Sequence, residues 1–347
     1  MKMFCFYSIF IMRLTFSLAY TNIHNSQSVP SAFNHVSSFP LFNAAEVNLT
    51  MPALGLGLGF YGMENEPYGT YPECGDEPHI DTSGPPGPPP PGCGLNTQKA
   101  VYTWLTKVGG RRLDCANSYY NHKSVARGIE QSGINRTEIF ILSKVGPTFG
   151  LGFNDTIEQT MDILQELQTS WIDLLLCRLS TWSAMITLFN RGLVRSIGVS
   201  NYNITHLQEI IDADMLLPSV NQVSFNPYNY RTGRADLLRF CQKNNIQLVA
   251  YSPLGMYPTL FQDPVIISLA RTYERTEAQI LLRWIHQLGV ASNPRSMNET
   301  HMQENLDIVS HPFSITDNDM MRINNLAQDT CKVDPDWFEC VGDGNPP

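Results

Sequence analysis

Positive charge is scarce in this sequence: 23 Lys and Arg stand against 32 Asp and Glu, a formal net charge of −9. Phosphate-backbone binding needs a basic face, so this balance argues against nucleic acid or anionic membrane as the main partner. A few local basic groups and helix N-termini can still hold an anionic cofactor. An apolar run long enough for a membrane span is also lacking. The stretch FCFYSIFIM that follows Lys2 is closed by Arg13 and is too short to cross a bilayer. No CxxC pair or Cys/His cluster occurs, so no zinc motif is expected. Histidine is missing from every position between His122 and His206, an absence that matters below.

Hydrophobic residues make up 43% of the 347, enough for one large α/β domain. Residues 1–20 have the charge, apolar core and length of a candidate signal peptide. Asn-x-Thr sequons occur at Asn48, Asn135, Asn154, Asn203 and Asn298. Together these favour the secretory pathway or the extracellular space. A cytoplasmic protein is the alternative if translation starts at a later Met, and sequons also arise by chance. Cys74 and Cys93 bracket a low-complexity insertion, residues 63–96, which contains GPPGPPPPG and cannot supply a core. Cys331 and Cys340 lie in a tail, residues 331–347. Each pair suits a disulfide in an oxidising compartment, or simply two free thiols. Cys115, Cys177 and Cys241 sit in apolar segments and are expected in the core.

Between these flanks, residues 21–330 read as one domain. A short hairpin is expected within residues 21–50, and MPALGLGLGFYG then reads as a strand entering a glycine loop. From residue 97 onward helical and strand patterns alternate. QKAVYTWLTKV, KSVARGIEQSG, DTIEQTMDILQELQT, TWSAMITLFNRG, THLQEIIDAD, ADLLRFCQKNN and AQILLRWIHQLG are helical. RRLDCA, EIFILSK, WIDLLLC, VRSIGVS, SVNQVSF, IQLVAYS and GVASNP are strands. With the first strand this makes eight βα units, which predicts a parallel sheet closed as a (β/α)8 TIM barrel. Gly57, Gly59 and Gly62 match GxGxxG, but that fingerprint needs a helix opening at the glycines. Here the insertion follows instead, so the match is accidental.

In such a barrel, catalytic groups stand where strands end. The second strand ends in LDCANSYYN, giving Asp114 and Tyr119, and the third in ILSK, giving Lys144. The fifth ends in GVSN, giving Ser200 and Asn201. The sixth carries Asn221 and Gln222, and the seventh leads to Tyr251, Ser252 and Leu254. Taken singly these are a helix cap, a rim aromatic and a solvated charge. Taken together they suit carbonyl reduction. A tyrosine with an ordinary pKa near 10 needs help to donate a proton at neutral pH. A lysine paired to an aspartate supplies that help by favouring the phenolate.

LDCANSYYN, ILSK, IGVSN, NQV, AYSPLG and PRSMNETHMQEN occur in the order found in the aldo-keto reductase family. The chain resembles that family over roughly residues 51–330 apart from the insertion. The resemblance implies reduction of aldehydes or ketones with NADPH as cofactor. Tyr119 would be the general acid, and Lys144 and Asp114 would tune it. The five-residue step from Asp114 selects Tyr119 over Tyr120. Ser200, Asn201 and Gln222 would hold the nicotinamide carboxamide, and Tyr251 would stack on its ring. Ser252 and Leu254 would line the pyrophosphate path. Arg295 and Ser296 match the 2′-phosphate site, and Glu304 and Asn305 the adenine contacts. His301 stands where the family often has arginine, which implies a weaker, pH-sensitive NADPH preference. The other reading of His301 is a polar residue on an exposed helix.

One family feature is missing. Its fourth catalytic residue is a histidine five residues after the aspartate of strand four, but Arg178 stands at that distance from Asp173. Trp182 of the next helix follows almost at once, as if the histidine and a substrate loop had been deleted together. Arg178 can polarise a carbonyl oxygen but is a poor acid. The segment after Leu254 is also compact, implying a short flap over the cofactor. Two other readings therefore stand beside the reductase. One is an NADPH-binding barrel without turnover, acting as a redox sensor or binding protein. The other is a secreted module that interacts through its proline-rich insertion. The expected partner is a small carbonyl compound, with no nucleic acid and no membrane span. A monomer is the expectation for assembly.

Overall fold

The computed structural model describes residues 37–42, 44, 48–59, 95–146, 152–177, 182–255 and 258–326. The candidate leader, all of the insertion before Leu95, Gly62, Cys74, Cys93, Arg178, Cys331 and Cys340 lie outside the described residues.

A two-stranded antiparallel hairpin comes first, β1 (Ser38–Pro40) paired with β2 (Thr50–Pro52). The parallel strands follow: β3 (Leu56–Gly57), β4 (Arg112–Asp114), β5 (Phe140–Lys144), β6 (Leu174–Cys177), β7 (Ile197–Ser200), β8 (Val220–Ser224), β9 (Gln247–Tyr251) and β10 (Ala291–Ser292). Each pairs with the next in chain order. The ring then closes on itself. Leu54 forms a parallel bridge with Ser292. Around it, Gly55 N donates to Ser292 O at 3.0 Å and Gly57 N to Pro294 O at 3.0 Å. The eight-stranded parallel sheet is thus the barrel that the alternation predicts.

Strand parity divides the core in two. Phe140, Leu142, Leu174, Leu176, Val220, Val249 and Ala291 point inward, where Phe39 and Met51 of the hairpin pack against them. Leu113, Cys115, Ile141, Leu175, Cys177, Ile197, Val199, Val223, Leu248 and Ala250 point outward under the helices. Alternate residues of a strand face opposite sides, so Arg112 and Asp114 share the inward face of β4.

The connecting helices are α1 (Leu95–Thr103), α2 (His122–Ser132), α3 (Phe153–Glu166), α4 (Trp182–Asn190), α5 (Ile204–Asp212), α6 (Ala235–Lys243), α7 (Pro264–Tyr273) and α8 (Glu277–Gln287). After the last strand come α9 (Glu299–Ser310) and α10 (Asp317–Asn324). α1 begins at Leu95, inside the range expected for the insertion. It ends in a wide π turn, Trp104–Val108, capped by Gly109 in the left-handed conformation. α7 and α10 were not foreseen from the apolar pattern. Three of the sequon asparagines have a local structural use. Asn135, Asn203 and Asn298 accept backbone N–H bonds from Thr137 (3.1 Å), His206 (2.9 Å) and Thr300 (2.8 Å), as N-cap residues do. No helix among the described residues is long and apolar enough to cross a membrane.

Candidate active site

Three elements position Asp114, Lys144 and Tyr119. β4 ends on Asp114, which is 3% exposed. β5 ends on Lys144, and the chain after β4 makes a single 3-10 turn, Asn117–Tyr119. Tyr120 closes that turn at φ 52°, in the left-handed region that costs a non-glycine residue about 1 kcal/mol or more. Asn121 then anchors the segment to the end of β3, its Nδ2 donating to Leu58 O at 2.7 Å. A turn held at both ends in this way fixes the tyrosine before it.

The resulting geometry brings Asp114, Lys144 and Tyr119 together. Lys144 Nζ donates to Asp114 Oδ1 at 2.5 Å and to Cys115 O at 2.8 Å. It reaches Tyr119 Oη at 3.4 Å, a long contact. Burial pushes the Tyr119 phenol above its ordinary value. Lys144 opposes that rise without cancelling it. The lysine was expected to favour the phenolate, and desolvation outweighs its pull. Burial alone would push Lys144 down, yet the charge of Asp114, then that of Tyr119, leaves the ammonium above its usual value. The pair is thus a protonated phenol beside a charged amine.

The other oxygen of Asp114 is also engaged. Gln222 Nε2 donates to Asp114 Oδ2 at 2.5 Å, and Asn293 Nδ2 donates to the same atom at 2.6 Å. Gln222, expected on the cofactor side, thus turns its amide into the acid network. Asn293 was missed altogether. So was Arg112, which lies wholly buried below Asp114 with its Nη2 donating to Asn293 Oδ1 at 2.7 Å. Parity was the usable signal. Once Asp114 faces inward, the residue two before it must do so too.

The remaining expected residues lie on the same rim. Ser200 Oγ donates to Gln222 O at 3.1 Å. Asn201 takes φ 62° and accepts from Tyr251 Oη at 3.0 Å, tying the ends of β7 and β9 together. Ser252, at φ 47°, begins a turn in which Gly255 N donates back to Ser252 O, with Leu254 half-buried within it. Arg295 is exposed and donates to Gly59 O at 3.3 Å. Ser296 exchanges hydrogen bonds with Asn298, which caps α9. His301 is exposed in the first turn of α9, Glu304 is half-buried and Asn305 buried. Arg295 and Ser296 therefore stand at the N-terminal end of α9, a place suited to an anion.

The model of the aldo/keto reductase family matches residues 96–327. The chain is 36% identical over 230 residues to the glyoxal reductase of Bacillus subtilis, covering 64% of this chain and 81% of that protein. The fold matches an aldo-keto reductase from a deep-sea metagenome library with TM-score 0.68 and 29% identity, covering 84% of this chain and 94% of that one. It also matches the Bombyx mori aldo-keto reductase solved in complex with NADP, with TM-score 0.68 and 25% identity over 84% and 92% of the two chains.

Proposed function

The chain belongs to the aldo/keto reductase family and is an oxidoreductase by that membership, and we propose that it reduces aldehydes or ketones to alcohols with NADPH. The observation that carries this reading is the Asp114–Lys144–Tyr119 chain of contacts at the strand ends. The residues present fit the cofactor. Arg295 offers a bidentate cation for a phosphate, next to the capped start of α9. Ser200, Asn201 and Tyr251 stand at neighbouring strand ends, with Tyr251 Oη donating to Asn201 Oδ1, and suit a carboxamide and its ring. NADPH, when bound, supplies the hydride to the carbonyl carbon. Tyr119 donates its phenolic proton to the carbonyl oxygen as negative charge develops there. The ammonium of Lys144 steadies the phenolate left behind, and Asp114 keeps Lys144 charged and in place. Water then returns the proton to Tyr119.

The histidine that usually helps to orient the carbonyl has no counterpart at position 178, where the sequence has Arg178. A positioned group of that kind contributes about 10²–10⁴-fold, so turnover is expected to be slow rather than absent. That same absence favours the second reading, an NADPH-binding barrel without turnover. The deciding experiment follows NADPH absorbance with a reactive aromatic aldehyde, using Tyr119→Phe as control. Oxidation that vanishes in Tyr119→Phe supports the reductase. No oxidation above the control, in folded protein that still binds NADPH, overturns it in favour of the binding barrel.

A further inference from the structure

Arg112 is a buried cation that the mechanism above does not use. It is 0% exposed. Its Nη2 donates to Ser292 O at 2.7 Å, to Asn293 Oδ1 at 2.7 Å and, at a longer 3.3 Å, to Ala53 O. Its Nε and Nη1 have no hydrogen-bond partner among the described residues. Burial brings the guanidinium down to about 10, against the opposing pull of Asp114, so it stays charged at neutral pH. For stability alone this is a poor choice, because an apolar side chain of similar volume avoids both the desolvation and the orphaned donors. The barrel nevertheless makes room for it. At Gly55, an added Cβ would collide with Arg112 Nε and lie 2.9 Å from Asn293 Oδ1.

What Arg112 does to Asn293 follows from donor counting. A guanidinium has no acceptor, so the Asn293 oxygen must face Arg112. The amide nitrogen is thereby turned to Asp114 Oδ2. Arg112 and the Asp114 carboxylate thus select the same amide orientation from its two ends, since a flip would set the amide nitrogen against the guanidinium and an oxygen lone pair against the carboxylate. Gln222 donates to the same oxygen and Lys144 to the other. Each of these contacts therefore treats Asp114 as an acceptor. The charged and titratable groups around it are Arg112 on its own strand, Lys144 from β5, Tyr119 from the following turn, and the neighbouring Cys115.

Resting on the reductase reading, we propose that Arg112 and Asn293 form a positioning pair for the acid: Arg112 orients the Asn293 amide, and the amide holds Asp114 as the charged acceptor that places Lys144 against Tyr119. Neither residue touches substrate. Their effect runs through Asp114 and shows in kcat rather than in KM.

Removing the cation in Arg112→Met, or the donor in Asn293→Leu, takes away what holds the amide on Asp114 Oδ2. Either variant should lower kcat for aldehyde reduction about tenfold and leave KM for the aldehyde as it was, because the reacting groups lose their alignment and the substrate loses no contact. Arg112→Lys, which keeps the charge, should restore most of the parental kcat. Asn293→Leu serves as the second variant if Arg112→Met does not fold. NADPH binding should be unchanged throughout. An unchanged kcat, or a loss that lysine does not rescue, would overturn the proposal. The same arrangement is read without turnover from the position of the carboxyl ¹³C signal of Asp114 at neutral pH, assigned by its disappearance in Asp114→Asn. A parent with no turnover sinks the reductase reading alone. An Asp114 signal at the same position in parent, Arg112→Met and Asn293→Leu sinks this inference.

Discussion

Gly59 lies against the ring of Tyr119, so close that a Cβ at 59 would stand 3.2 Å from Tyr119 Cζ. The Tyr119 ring rests on bare backbone, and its position depends on there being no side chain. In Gly59→Ala the ring must shift by a few tenths of an ångström. Displacements of that order at a reacting group lower rates steeply. We expect about a tenfold fall in kcat for aldehyde reduction, with NADPH affinity kept. An unchanged kcat would show that the ring has slack.

Arg295 should act on the cofactor's phosphate and not on the chemistry. Arg295→Ala is expected to raise the Kd for NADPH about tenfold, ~1.4 kcal/mol, and to leave that for NADH nearly as it was. Equal weakening of both cofactors in fluorescence titration would remove Arg295 from the 2′-phosphate site.

Asp173 anchors the start of β6 between two arginines. Its Oδ2 lies 2.8 Å from Arg136 Nη2 and its Oδ1 2.7 Å from Arg195 Nη1, and Ile141 N donates to Oδ2 at 2.9 Å. The carboxylate is buried while both arginines are partly open to solvent. Breaking such a pair from the buried side costs about 3 kcal/mol. Asp173→Ala should lower the urea midpoint accordingly. A loss below ~1 kcal/mol would show that solvent screens the pair.

Glu166 gives the fold an acid-sensitive point. Burial raises its pKa, but the hydrogen bond and charge of His122, with Lys123 nearby, more than offset that and leave it lowered. A lowered folded-state value stabilises the protein above the unfolded glutamate pKa, and that stability is lost as pH falls through the folded value. Between those two values, Tm of the parent should drop with acid more steeply than Tm of Glu166→Gln. Parallel curves for the two proteins would count against the coupling.

The inner thiols should be inert in the native state. Cys115, Cys177 and Cys241 are buried. Burial pushes the Cys115 and Cys241 thiols up, the latter to about 12, so little thiolate exists to react. Alkylation followed by mass spectrometry should leave these three unmodified until denaturant is added. The same spectra show whether Cys74–Cys93 and Cys331–Cys340 are joined. Rapid native labelling of Cys115 would contradict the packing.

Much of this architecture could be read from local pattern. EIFILSK and IQLVAYS are strands because β-rich apolar runs are bounded by turns. Tyr119 was singled out by the family resemblance, which implies an acid five residues after the aspartate of LDCANSYYN. Asn293 did not emerge. It meets Asp114 across 179 residues, and GVASNP, read as the last strand, gives no sign of which partner its asparagine faces. Arg112, next to Arg111, reads as part of a surface pair until barrel parity is imposed. α7 had a usable start signal in Asp263 followed by Pro264 at the first helical position, but its apolar pattern was too short to stand out. The pull of burial on Tyr119 was invisible for another reason, since desolvation depends on what surrounds a side chain and not on its chain neighbours.

The seam between Leu54 and Ser292 joins one of the first strands made to the last. During synthesis the chain must therefore carry an unpaired, aggregation-prone strand edge until almost all of the domain has been made. Asn293 arrives with the strand that seals that edge. The full set of hydrogen-bond partners of Asp114 is thus assembled by the same event that closes the barrel, and a nascent chain cannot possess one without the other.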